Sequence, residues 1–268
     1  MLFKNKICPK CKSSYDEAFY VCPNCKEKND LNLPKSHKSI SFIPPIFQIG
    51  VFLIGWIGLQ VLFVLMQFIV SAFVDEITLN ALAVIDYGSY VFLFGALVLT
   101  IMPFIKSILQ HFKKWENYIY GIGYGVTLIV VTMLYSLLIS QLVNVSDNAN
   151  QQTAQNLTKA FPFLALIFLG FIGPICEEIT YRLGLFTLLK RINKFLPYIL
   201  VPIIFGFIHF DFTCFGTETM VNELVNVPSY IIAGLILSLA YSHKGLACST
   251  TAHIINNVFS LIMILIGI

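Results

Sequence analysis

Charge is what this chain has least of. Asp, Glu, Lys and Arg make up 12% of its 268 residues, roughly half the share of a soluble domain. With 57% hydrophobic residues it has too little polar surface for a water-soluble globule. That class is excluded, and an integral membrane protein in contact with a lipid bilayer remains. The net charge of +3 gives no ground for nucleic-acid binding, and none is expected. No secretory leader opens the chain, because a Cys- and Lys-rich segment precedes the first apolar run. No internal repeat or low-complexity tract is visible, which counts against a transporter.

What is present divides into three parts. Residues 1–28 hold four cysteines, 29–42 read as a polar linker, and 43–268 as a membrane domain. Apolar runs fall at about 43–74, 78–105, 118–143, 160–189, 195–212, 225–242 and 246–267. A helix needs about 20 apolar residues to cross the hydrocarbon, and most runs meet that length. The expected fold is therefore an all-α polytopic bundle of seven spans, or eight if a further helix forms near 213–228. Loop charge alternates: Asp75 and Glu76, then Lys106, Lys113 and Lys114, then Asp147, then Lys190, Arg191 and Lys194, then acids, then Lys244. The positive-inside rule then gives a cytoplasmic N-terminus and an outside C-terminus, in a cell membrane expected to be a bacterial plasma membrane.

Cys8-Pro-Lys-Cys11 and Cys22-Pro-Asn-Cys25 are two CxxC pairs, each on a tight turn that aims both sulfurs at one ion. This spacing predicts a structural four-cysteine zinc ribbon. The alternative is two disulfides, which rarely persist in a reducing cytoplasm. A module this small cannot build a sufficient core, and the metal substitutes for one. Eight lysines accompany it (Lys4, Lys6, Lys10, Lys12, Lys26, Lys28, Lys35 and Lys38). They could bind a protein partner or anionic headgroups, or simply form a solvated face. Cys176, Cys214 and Cys248 stand alone and read as small buried hydrophobes.

Ionisable residues inside membrane-grade sequence mark function by default, because each costs roughly 2.5–3.5 kcal/mol at that depth. Three apolar runs carry them. In the fourth run, Glu177 and Glu178 are adjacent and point about 100° apart. Glu178 can pair with Arg182 four residues on, which leaves Glu177 free to face a cavity as a general base acting on water. In the fifth run, His209 is as far from residue 193 as Glu177 is, so a hairpin sets the two level, roughly 24 Å from the turn. In the seventh, His253 and Asn257 share a face, with Asn257 about 18 to 20 Å into its helix. Their hydrogen-bond donors suit an oxyanion hole. Glu177, His209 and His253 are equally the ligand types of a catalytic zinc, and spacing does not separate the two readings.

The sequences Glu177-Glu178-Ile-Thr-Tyr-Arg182, Phe205-Gly-Phe-Ile-His209 and His253-Ile-Ile-Asn-Asn257 resemble the three signatures of the CAAX protease and bacteriocin-processing (CPBP or Abi) family of intramembrane proteases: EExxxR, FxxxH and HxxxN/D. The match covers about 160–260. The resemblance implies a membrane endopeptidase that hydrolyses a peptide or membrane-protein substrate. In it the first glutamate and the FxxxH histidine activate water, the last histidine and the Asn stabilise the oxyanion, and the arginine is structural. Family members have been described both as metalloproteases and as glutamate proteases. Bacterial members are linked to peptide maturation, bacteriocin self-immunity and control of partner membrane proteins. The ribbon lies outside the family pattern and suggests an adaptor. The competing expectation is a catalytically silent scaffold or immunity protein that acts by binding.

Overall fold

A computed structural model describes residues 5–16, 22, 24–25, 43–143, 146–217 and 219–267. The linker expected at 29–42 lies outside the described residues, as do Lys4, Lys26, Lys28, Lys35, Lys38 and Glu218. Strands β1 (Asn5–Ile7) and β2 (Ser14–Asp16) pair antiparallel, Asn5 opposite Asp16. Among the described residues, everything else of regular structure is helical. Proline opens α1 (Pro45–Ser71) at a position where its missing N–H costs nothing. The Thr78 hydroxyl caps α2 (Leu79–Ile101) by accepting from the Ala81 N–H. A single turn at Met102–Phe104 leads into α3 (Ile105–His111), followed by α4 (Trp115–Ser140).

Next comes α5 (Ala149–Ala160), capped by the Asn148 side chain, which accepts from Gln151 N at 2.9 Å. Helix α6 runs from Pro162 to Lys190, α7 from Pro197 to Phe207, α8 from Met220 to Lys244 and α9 from Leu246 to Ile266. Between α8 and α9 the chain reverses at Gly245, whose φ of 80° suits glycine. Each predicted apolar run contains one helix. Six are long and apolar enough to cross a membrane: α1, α2 continued by α3, α4, α6, α8 and α9. The fifth run yields only the 11-residue α7, too short to cross alone.

Large apolar side chains such as Leu65, Phe68, Leu134 and Leu138 project outward from α1 and α4. In water such a surface would aggregate; facing lipid it needs no cover. This is a multi-pass membrane protein. Its interior is organised around α6, where every residue from Glu178 to Phe186 is buried. Helices α1, α2, α7 and α9 pack on α6; α4 packs on α8 and α9, and α7 on α8. The last contact is close: a Cβ on Gly206 would lie 2.4 Å from Ile231, and one on Gly234 would lie 2.9 Å from Pro202. Cys176, Cys214 and Cys248 are buried free thiols. Arg191 does more than set charge, since its guanidinium donates to the Gln48 Oε1 and Ile43 carbonyl at 2.9 Å each. It ties the basic turn to the start of α1.

Candidate active site

Helix α6 is not uniformly α. Its stretches Leu166–Ile172 and Glu178–Phe186 have the wider π pattern of i to i+5 bonds. Proline explains the first. Pro174 has no N–H, and its ring crowds the carbonyl four residues back, so the preceding turn widens and the Gly173 N–H reaches Phe168 O. In that pattern the Leu169 carbonyl would take its bond from residue 174, where no donor exists. The Asn257 side chain supplies one: its Nδ2 donates to Leu169 O at 2.9 Å. The wider turns are a recurrent feature of functional sites.

At the centre of the bundle the Glu178 carboxylate meets Arg182 Nε at 3.4 Å and His253 Nδ1 at 3.0 Å, with Glu178 and Arg182 both fully buried. The Arg182 guanidinium also lies over the Phe205 ring, 5.1 Å from its centroid, a favourable placement for a desolvated cation. The other imidazole nitrogen, His253 Nε2, is 3.6 Å from Glu177 Oε2. His253 therefore stands between the two acids, and the brace and the free glutamate are linked through it.

His209 follows the end of α7 and is held from two sides. Its backbone carbonyl accepts from Asn148 Nδ2 at 3.2 Å. Its ring stacks on Tyr230 with centroids 4.3 Å apart, and the Tyr230 hydroxyl donates to Asn148 Oδ1 at 3.3 Å. Glu177, His209, His253 and Asn257 line one cavity of about 180 Å³. A second cavity of about 390 Å³ shares Glu177 and His209 and extends between α1, α2 and α5.

Three residues of this region were not singled out in the sequence. Glu223, one of the acids between the fifth and sixth apolar runs, is buried in the first turn of α8. It accepts from the N–H groups of Ala149 at 2.8 Å and Asp211 at 3.1 Å, so one carboxylate joins α5, α8 and the loop after His209. Tyr230 offered no signal, being one aromatic among many. Asp86 did: it is an ionisable residue in a membrane-grade run, the criterion that identified the others.

The ribbon cysteines converge. Cys8 Sγ lies 3.5 Å from Cys25 Sγ, and Cys11 Sγ lies 3.5 Å from Cys22 Sγ. All four sulfurs fall within 4.8 Å of one another, near the edge of about 3.8 Å for a tetrahedron with metal–sulfur bonds of about 2.3 Å. Lys12, at φ 57°, turns the chain so that Cys8 N donates to Ser13 O. Hydrogen bonds from the Ser13 hydroxyl and backbone bring the Cys11 thiol down to about 6, favouring the thiolate a metal needs. These donors fit one metal ion. Among the described residues, Glu177, His209 and His253 do not form a comparable three-ligand group.

The bundle and its buried acid–imidazole cluster define a membrane protein with a polar site enclosed among its spans. Residues 159–259, the segment that carries all three motifs, match the model of a family described as type II CAAX prenyl endopeptidase Rce1-like. An uncharacterized protein of Mycoplasma capricolum subsp. capricolum is 33% identical over 150 residues, which is 52% of this chain and 41% of that protein. The UPF0177 protein YvdC of Lactococcus lactis subsp. lactis is 20% identical over 144 residues, which is 53% of this chain and 51% of that protein. The chain thus spans about half the length, or less, of these curated relatives. No solved structure matches it.

Proposed function

We infer that residues 43–268 form an intramembrane endopeptidase, with its motif core at about 160–260, and that residues 1–28 are a zinc-binding adaptor. One observation carries this reading: three motifs far apart in sequence bring Glu177, His209, His253 and Asn257 to a single cavity inside the bundle. A scaffold has no need of such a cavity.

Glu177, aided by His209, takes a proton from water as the water oxygen attacks the scissile carbonyl carbon. The oxygen that becomes negative receives hydrogen bonds from His253 and from the second amide hydrogen of Asn257, the first being used on Leu169. Glu177 then passes its proton to the departing amine nitrogen, the C–N bond breaks, and a carboxylic acid and an amine are released, the acid's proton passing to the amine to leave a carboxylate and an ammonium. Arg182 and Glu178 hold His253 in place rather than touching the substrate.

In proteoliposomes, Glu177→Gln and His209→Ala variants should insert and melt like the parent. Each should lose at least about 10²–10⁴-fold in cleavage of a fluorogenic peptide library, the range of general-base catalysis. Full activity in both variants would refute the assignment. Metal analysis addresses the second half of the reading. One zinc per chain is expected, lost with Cys8→Ser and kept with His209→Ala; two per chain would favour a metalloprotease.

A further inference from the structure

The larger cavity, beside the one just used, has a wall that the hydrolytic chemistry does not require. Asp86 of α2 lines it, about 10 Å along a membrane-crossing helix that starts at Leu79. Its Oδ2 is buried without a hydrogen-bond partner, and no cation among the described residues pairs with it. The other aspartate on this cavity, Asp211, is engaged: its Oδ1 accepts from Thr213 N at 2.8 Å and Thr213 Oγ1 at 2.7 Å. A carboxylate at that depth with no donor is costly unless something that enters the cavity supplies one. Trp56, Phe63, Tyr90 and Tyr181 give the cavity aromatic faces, beside polar groups such as Gln60 and Asn150. Ring faces attract cations most strongly where water is scarce. The volume of about 390 Å³ accommodates a long side chain, and the cavity shares Glu177 and His209 with the site above.

We propose that this cavity is a substrate subsite for a cationic side chain, lysine or arginine, with Asp86 as its counter-charge and the aromatic walls enclosing its stem. The substrate class is then a peptide or membrane-protein segment with a basic residue close to the bond that is cut. The proposal deepens the protease reading and rests on it for the word substrate; binding itself can be measured apart from cleavage.

The test uses the full chain in detergent with Glu177→Gln throughout, which removes the neighbouring acid's charge and blocks turnover. Fluorescent peptides carry lysine, arginine, norleucine or glutamate at one scanned position. The parent should bind the basic peptides roughly tenfold or more tightly than the norleucine peptide, the scale of a hydrogen bond to a charged group. Asp86→Asn should erase that ratio, Asp86→Glu should keep most of it, and Asp86→Lys should shift preference to the glutamate peptide. No basic preference in the parent overturns the proposal. So does a ratio that persists in an Asp86→Asn protein with the parent's melting temperature. If Asp86→Asn does not fold, the parent's preference and the Asp86→Glu and Asp86→Lys ratios decide the question. In a separate arm Glu177 is restored. Failure to cleave any bound peptide sinks the protease reading and leaves the binding ratio to stand or fall by itself.

Discussion

Glu178, Arg182 and His253 show how one residue can be legible while its role is not. The spacing of Glu178 and Arg182 predicts their pairing, because four residues along a helix share a face and no third element is needed. That His253 bridges both glutamates depends on how α9 docks on α6, and no local pattern encodes it. The energetics at this scale are severe, since Arg182 is fully buried. Removing one member of a buried ion pair leaves its partner uncompensated, at about 3–5 kcal/mol. Arg182→Met should therefore lower the thermal midpoint of the detergent-solubilised protein far more than Glu177→Gln does. Equal midpoints would mean that the brace contributes little.

At the scale of whole elements, six of the seven apolar runs became helices long enough to span, because a long run with almost no charge has one stable form in lipid. Two features were not legible. Helix α5 has the Asn-, Gln- and Thr-rich composition of a loop, and its polar residues carry no apolar period that would mark a helix. Helix α7 stops at Phe207 although Ile208 and Phe210 on either side of His209 are still apolar, and hydropathy does not register where hydrogen bonding ends. The widened turn of α6 was readable in principle from Pro174, but its partner Asn257 was read only as a group facing substrate. The tie makes a specific prediction. Asn257→Ala should destabilise the protein by about 1–3 kcal/mol, the cost of a buried carbonyl left without a donor. In a Pro174→Ala background, where residue 174 regains an N–H, that cost should shrink. A double-mutant cycle on melting midpoints reads the coupling; strict additivity would dissolve the tie.

For the molecule as a whole, the loop charges predict a topology that fusion reporters can check. Alkaline phosphatase joined after Glu76 should be active, and joined after Lys114 or Arg191 inactive. Activity after Lys114 would invert the scheme. Within that topology α7 has a consequence of its own. Its 11 residues rise only about 16 Å, roughly half of a hydrocarbon layer about 30 Å thick. Gly206 lies against Ile231, and His209 stacks on Tyr230, so the helix gives out well before α8 does. Beyond it runs irregular chain, which membranes tolerate only against protein or water. That chain is covered by protein, Phe210 and Cys214 packing with Val227 of α8, and His209 at its start borders the cavity of about 390 Å³ that also holds Glu177. By ending early, the helix sets that polar hollow beside the reacting groups, where the reactant hardest to supply in a bilayer, water itself, could be held.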